Sequence, residues 1–416
     1  MSLADPLASI PPPSQRRIAL RVTPAAQHAL RQGHPWLYAR AVTGQSGEGR
    51  PGDLAVVFDD YRRFMAIGLY DPTSPMRVRI LHHGAPATID TAWLRDRLAT
   101  AVAWRATLPQ SGTTGYRLVH GENDGLPGLV VDRYDNALVV KLYSLAWLPW
   151  LPNLRTALDE ACPPATIVLR LSREVARQTE YLGGLTDGML LAGSQPGDEV
   201  LFLENGLCFG ADVRHGQKTG FFFDQRDNRA RVERLAAGRQ VLNVFAYSGG
   251  FSLYAARGGA REVVSLDANA AALAAATRNF ERNAHLPAVA AAHHGLLVAD
   301  AFSALADQQR SGRRFDLVIV DPPSFAKRAS EVSAALDAYA RLTVLALGVL
   351  APGGILVSAS CSSRVDAPTF FSTVLRAAAN AGRSLVEFDR TGHAIDHPAL
   401  FPEAAYLKCL YARVPG

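Results

Sequence analysis

Apolar and polar positions divide this chain into two rhythms. Up to about residue 215 the apolar runs are short, alternate with polar residues and are broken by turn signals. Segments 17–22, 54–58, 64–70 and 78–81 read as strands, punctuated by Gly52-Asp53, Asp59-Asp60 and Asp71-Pro72, with one helical piece at 24–32. Residues 90–108 take helical spacing. Strands then return at 116–119, 128–132, 137–142, 166–171 and 199–204, with a helix at 147–160. From about residue 216 near-continuous apolar strands alternate with Ala-rich helices. The strands are 240–245, 262–266, 296–298, 317–320 and 354–358; the helices are 250–257, 269–283, 301–309, 331–350 and 367–381. That alternation predicts an α/β fold with a parallel sheet covered on both faces. No internal repeat of solenoid period is present.

With 416 residues, two or three domains are expected. The expected division is a flexible tail over 1–15, ending in three prolines, a mostly β module over 16–92, a central α+β domain over 93–200 and the α/β domain over 201–416. A composition of 48% hydrophobic and 19% charged residues excludes a disordered chain. No stretch approaches a membrane span, and the N-terminus lacks the apolar segment of a signal peptide. A soluble cytoplasmic protein is expected. The four cysteines lie far apart with no CxxC, which argues against a disulfide framework or a zinc site.

Charge is uneven. Residues 1–110 carry 13 Arg and no Lys against 8 acids, a surplus of five that equals that of the whole chain. An anionic partner held by the N-terminal module is one reading; a solvated surface is the other.

In a parallel sheet, ligands sit beyond the carboxyl ends of the strands. After the first strand comes Asn243-Val244-Phe245-Ala246-Tyr247-Ser248-Gly249-Gly250-Phe251. Its small residues would let backbone approach a ligand at a helix N-terminus, or simply make a tight turn. It lacks the dinucleotide pattern GxGxxG. After the second strand stands Asp267, followed by Ala268. An acid there suits ribose hydroxyls, and also suits a helix cap. Asp300, after the third, could meet an adenine amino group or cap a helix. After the fourth comes Asp321-Pro322-Pro323-Ser324-Phe325, a stiff loop that could hold a flat base against Phe325 with Asp321 on its polar edge. Cys361, in the Ser-rich loop after the fifth, is a nucleophile candidate; Cys162, Cys208 and Cys409 read as core residues. Before the first strand, Lys218-Thr219-Gly220-Phe221-Phe222-Phe223-Asp224-Gln225-Arg226 reads as a cofactor wall or as core.

These strings, with His34-Pro35-Trp36-Leu37-Tyr38 and the run Gly121-Glu122-Asn123-Asp124-Gly125-Leu126-Pro127-Gly128 onward to Tyr134, resemble the class I S-adenosylmethionine-dependent methyltransferases. More narrowly they resemble the RlmI-like ribosomal RNA cytosine-5 methyltransferases. The resemblance covers residues 16 to 412. It implies an N-terminal PUA domain that binds RNA, a central α+β domain and a Rossmann-like seven-stranded catalytic sheet whose antiparallel last strand comes from a hairpin over 401–414. It implies S-adenosylmethionine as cofactor. Asn243 and Ala246, Tyr247, Ser248 and Gly249 would hold its methionine part, Asp267 with Ala268 its ribose and Asp300 its adenine. Lys218, Phe223, Asp224, Arg226 and Asp321 would form the remaining wall. Pro322, Pro323 and Phe325 would meet the substrate base. The implied partner is large-subunit (23S) ribosomal RNA; no membrane and no metal are expected, and a homodimer is an option.

The expected product is 5-methylcytidine, formed through a covalent adduct at Cys361 with Asp321 on the base edge. Arg364 or the cationic cofactor would lower the Cys361 pKa. Ser324 stands where some RNA cytosine-5 methyltransferases carry a second cysteine, so the base that removes the carbon 5 proton is unnamed. Asn243 stands where many methyltransferases have an acid. Three alternatives stay open: methylation of another RNA atom, such as a guanine nitrogen; a nucleotide-dependent oxidoreductase; and an RNA-binding module with an inactive catalytic domain.

Overall fold

The computed structural model describes residues 5–415. The chain forms two compact units. The first takes residues up to 206 together with 211–221, and the second takes 207–210 and 222 onward.

The first unit contains two sheets. A six-stranded sheet runs in the order Trp36–Tyr38, Met76–His83, Phe64–Tyr70, Leu54–Phe58, Arg17–Val22, Val42–Gln45. A five-stranded sheet runs in the order Leu190–Gly193, Thr166–Leu171, Ala137–Leu142, Leu129–Tyr134, Gly115–His120. Its one parallel pair, Ala137–Leu142 with Thr166–Leu171, needs a crossover, and the helix Leu151–Ala161 supplies it. Leu69 and Leu81 of the six-stranded sheet share one apolar core with Leu118, Leu129 and Trp147 of the second region. The β module and the central domain thus pack into one compact unit around a shared core. The expected boundary at 200 is also interleaved. Residues 207–210 join the second unit because Asn283 and Asn279 accept the N–H groups of Cys208 and Gly210, at 2.9 and 3.0 Å.

The expected flexible tail is only partly describable, since residues 1–4 lie outside the described residues. Beyond them the chain is not loose. Leu7 and Ile10 are 3% and 7% exposed and belong to the first unit's core. Asp5 forms a two-point ion pair with Arg155, and Ser9 donates to the Gly183 carbonyl. Two buried aliphatic side chains outweigh the proline run as a determinant of order.

The run from Gly121 to Tyr134 that carries part of the resemblance is structural. Asp124 binds the Arg105 guanidinium at two points, and Glu122 accepts from the Trp36 indole at 2.8 Å. Asp132 accepts from Arg117 and from the Thr219 hydroxyl, and the Tyr134 hydroxyl accepts from Phe221 N–H.

The second unit is a seven-stranded sheet. In chain order its strands are β1 (Gln240–Val244), β2 (Glu262–Asp267), β3 (His293–Val298), β4 (Phe315–Val320), β5 (Leu350–Ser360), β6 (Val386–Thr391) and β7 (Lys408–Arg413). Their order in the sheet is β3-β2-β1-β4-β5-β7-β6. The first five are parallel, and β7 is antiparallel to both β5 and β6. The antiparallel last strand lies within 401–414 as expected, but it pairs with β5 and β6 rather than in a hairpin of that segment, where Pro402–Ala404 makes only a short 3-10 turn. The fifth strand runs on to Ser360 rather than ending at 358, so Cys361 stands directly at its carboxyl end. Chain order reverses between β1 and β4, which makes their carboxyl ends the switch point where α/β sheets bind ligands.

Candidate active site

The loop leaving β1 is strained. Phe245 and Tyr247 have φ of +62° and +49°, a region that bulky side chains rarely occupy. Two ties hold it. Ala246 N–H donates to the Leu266 carbonyl at 3.0 Å, and Tyr247 N–H donates to Asp267 Oδ2 at 2.9 Å. The other Asp267 oxygen accepts from Asn269 N–H at 2.9 Å, so Asn269, not Asp267, caps the next helix. Gly249 is required twice over: its φ is +77°, and a Cβ there would lie 2.7 Å from the Ala276 methyl. The glycine therefore serves the turn as well as helix packing.

Beneath the loop runs a buried polar chain. Asn243 Nδ2 donates to Ser252 Oγ (2.9 Å), which bonds Ser265 Oγ (2.7 Å), which bonds His294 Nε2 (2.9 Å). His294 stacks on Phe280, and burial, with the neighbouring His293 charge, pulls it down to about 4. Because the Asn243 amide donates through its Nδ2 into this chain, its Oδ1 is left outside it. Asn243 Oδ1 and Ser248 Oγ are buried and have no hydrogen-bond partner within the protein. An unsatisfied buried amide oxygen and an unsatisfied hydroxyl beside a strained loop match the ammonium and the carboxylate of an amino-acid ligand respectively.

The remaining candidates separate. Asp300 is exposed and caps the following helix through Ser303 N–H at 3.0 Å. Ala268 is exposed beside Asp267. The Lys218–Arg226 string is divided: Lys218 lies in the first unit, where its carbonyl accepts from Lys141, and only Phe222 onward belongs to the second. Phe223 is core, and it is Phe222 whose ring meets Tyr247 edge-on at 5.1 Å. Asp224 accepts from the Tyr406 hydroxyl. The Arg226 guanidinium is buried in a two-point ion pair with Asp396, at 3.0 and 2.7 Å.

The loops after β4 and β5 meet, as neighbouring parallel strands require. The Cys361 thiol lies 4.0 Å from the Pro322 carbonyl, and Ser362 Oγ donates to the Ala326 carbonyl at 2.9 Å. Ser324 Oγ bonds the same Ala326 carbonyl, at 3.0 Å. Cys361, Asp321 and Phe325 are half-buried, Pro322 is buried and Pro323 exposed. Phe325 is held against Tyr339 (5.0 Å) and Phe302 (6.5 Å), so its ring is partly a core element. Tyr339, which no local pattern singled out, bonds Ser360 Oγ at 2.8 Å. Burial pushes its phenol pKa up, and negative charge on Cys361 and Asp321 pushes the same way. Arg364 is exposed, whereas Lys408 lies buried under the Cys361 loop. Among the described residues, no cluster of His, Cys, Asp and Glu could hold a metal ion, and no helix is long and apolar enough to cross a membrane.

Known proteins share this architecture. The family description "S-adenosylmethionine-dependent methyltransferase" matches residues 116–413, and "PUA-like domain" matches 20–83. A Deinococcus radiodurans protein named ribosomal RNA large subunit methyltransferase is 51% identical over 98% of this chain and all of its own length. A Shewanella amazonensis ribosomal RNA large subunit methyltransferase I is 36% identical over 95% of this chain and 99% of its own. A solved structure from Streptococcus mutans, described as a SAM-dependent methyltransferase, superposes with a TM-score of 0.80 at 22% identity, over 95% of this chain and 100% of that one. The sheet order, the loop with its unsatisfied acceptors and these full-length matches lead to one conclusion: the chain belongs to the S-adenosylmethionine-dependent methyltransferases, in the RlmI-like family, with an N-terminal PUA-like domain.

Proposed function

We propose that this protein methylates carbon 5 of a cytidine in large-subunit ribosomal RNA, with Cys361 as nucleophile. The RNA class follows the names of its full-length relatives. The chemistry is carried by one observation, the joining of the Cys361 loop to the Asp321 loop at the end of β5. Asn243 Oδ1 and Ser248 Oγ would hold the amino-acid part of S-adenosylmethionine, Asp267 with Ala268 the ribose and Asp300 the adenine. When bound, the cofactor supplies an electrophilic sulfonium methyl.

Carbon 5 of cytosine is a poor nucleophile. The Cys361 thiolate adds to carbon 6, and the electrons released make carbon 5 nucleophilic enough to take the methyl. Asp321 faces the nitrogen 3 edge and stabilises the proton that this edge takes from water as the thiolate adds and gives back when Cys361 leaves. A base removes the carbon 5 proton, the double bond re-forms and Cys361 leaves as thiolate. The target must be unstacked or single-stranded to enter, resting between Pro322, Pro323 and Phe325.

The test is covalent trapping. An RNA carrying 5-fluorocytosine should form a stable adduct with the wild type, because fluorine blocks the last proton loss. Cys361→Ser should form none, should lose turnover and should keep its affinity for S-adenosylhomocysteine. A Cys361→Ser enzyme that methylates at near wild-type rate, or a methylated guanine as product, would overturn the assignment.

A further inference from the structure

A buried cation underlies the Cys361 loop. Lys408 opens β7, and in the antiparallel register with β5 its Cα faces Ser360, the residue before Cys361. It is 2% exposed. Its ammonium donates to the carbonyls of Ser362 and Val365, on the loop that follows Cys361, and to that of Tyr406 at 3.1 Å. An ammonium has three N–H donors, and all three are engaged. Lys408 is therefore a fixed cation with no free lone pair, and not the missing base.

Burying an ammonium is costly, and a loop can be tied by neutral donors without that penalty. The groups that face it identify what offsets the penalty. Cys361 and Asp366 are the groups near it that carry negative charge when ionised. Asp366 is exposed and caps the next helix through Thr369 N–H at 2.8 Å, while His393 is held neutral, down to about 4, chiefly by burial. Burial pulls Lys408 down to about 8, and negative charge on Cys361 and Asp366 pulls it back up. Such coupling is reciprocal: what a thiolate does for the ammonium, the ammonium does for the thiolate.

We propose that Lys408 is a positioning residue that holds the loop over residues 361–365 and keeps Cys361 ready as a thiolate by placing a positive charge beneath it. The role expected of Arg364 thus falls to Lys408. This rests on Cys361 being the nucleophile.

The experiment reads the thiol directly. The full-length protein is alkylated with iodoacetamide across pH, and mass spectrometry of the Cys361 peptide separates it from Cys162, Cys208 and Cys409. In Lys408→Met the alkylation midpoint should rise by about one pH unit or more, about tenfold less thiolate at neutral pH. Lys408→Arg, which keeps the charge, should stay near wild type. A folded Lys408→Met protein with an unchanged midpoint overturns the proposal, since a merely structural lysine would alter melting but not thiol titration. A second arm needs no lysine variant. The chain has only four lysines, so the Lys408 side-chain resonance can be followed by NMR. Its titration midpoint should fall when Cys361 is alkylated; no change overturns the coupling. Failure of the wild type to trap 5-fluorocytosine RNA would instead remove the nucleophile reading and leave the thiol measurement standing.

Discussion

Replacing Asp396 by Asn should destabilise the second unit by about 3 kcal/mol, although Asp396 is in no motif. Asp396 is 0% and Arg226 1% exposed, and they bond at two points, with His397 Nδ1 3.1 Å from the same carboxylate. Removing one partner of a buried pair leaves an uncompensated charge, a loss of about 3–5 kcal/mol. Asn keeps one acceptor oxygen, which places it at the low end. Removing both charges, in Arg226→Met with Asp396→Leu, should recover most of the loss, because a buried pair roughly breaks even against apolar residues of similar size. At about 2–4 °C per kcal/mol for a unit of this size, the single variant should melt about 6–12 °C lower. Urea unfolding should be followed by far-UV circular dichroism. All five tryptophans lie in the first unit, so their fluorescence does not report this one.

The pH dependence has a definite sign. Burial pushes the Asp396 pKa up, but the facing charges of His397 and Arg226 and their hydrogen bonds hold it well below the usual range. A depressed carboxyl pKa stabilises the fold above the unfolded value of about 3.9, and that stability is lost as pH falls through the lower folded value. The gap between wild type and Asp396→Asn should therefore persist from pH 7 to 5 and close only below about pH 4. A loss under about 1 kcal/mol at pH 7, against the range set for buried pairs, or a gap that closes between pH 7 and 6, would refute this account.

Other expectations follow from the same geometry. Asp267→Ala should weaken S-adenosylhomocysteine binding by about 1.5–3 kcal/mol by calorimetry, the usual loss of a hydrogen bond to a charged group. It should also lower the melting temperature, because the Tyr247 and Asn269 N–H groups lose their acceptor. His294 is held neutral down to about 4, so the second unit should lose stability as pH falls from about 6.5 toward 4; His294→Gln should flatten that slope in urea titrations. In the first unit Arg79 is buried on Glu122 and Arg63 is paired with Asp59, whereas Arg17 and Arg21 are exposed on one face of their strand. Arg17→Glu with Arg21→Glu should weaken RNA binding and reduce the salt slope of log K by about 1.4–1.8; an unchanged slope returns these arginines to a solvated surface.

What the chain's pattern disclosed and what it concealed divide along range. The parallel sheet was legible because strands buried on both faces read as apolar runs, and 317–320 is such a run. The positions of Asp267, Asp321 and Cys361 followed, since a strand end is a local property. The flanking pairs had no local sign. Arg226 and Asp396 are 170 residues apart, and Lys408 meets the Ser362 carbonyl from 46 residues away. Before its partner was visible, Arg226 beside aromatics read as a cofactor wall. Likewise no composition rule announces a positive φ at Phe245 or Tyr247; it arises because the Leu266 carbonyl and the Asp267 carboxylate pull on the loop from the neighbouring strand.

The same division bears on the nucleophile role proposed for Cys361. A strand end specifies an edge of the sheet, but covalent addition to carbon 6 requires sulfur held within a fraction of an ångström of its line of attack. Three ties to different parts of the fold supply that constraint. Tyr339, on the helix before β5, bonds Ser360; the β4 loop receives Ser362 at Ala326; and Lys408 on β7 binds the carbonyls of Ser362 and Val365. Each comes from a segment with its own packing in the core, so no single loop motion can release all three. Of these only the β4 loop lay in a recognised motif. The stiffness of the Cys361 loop is thus a property of the assembled sheet, and it is where substitutions far from Cys361 in the chain, at Tyr339 or Lys408, should act on the reactivity proposed for it.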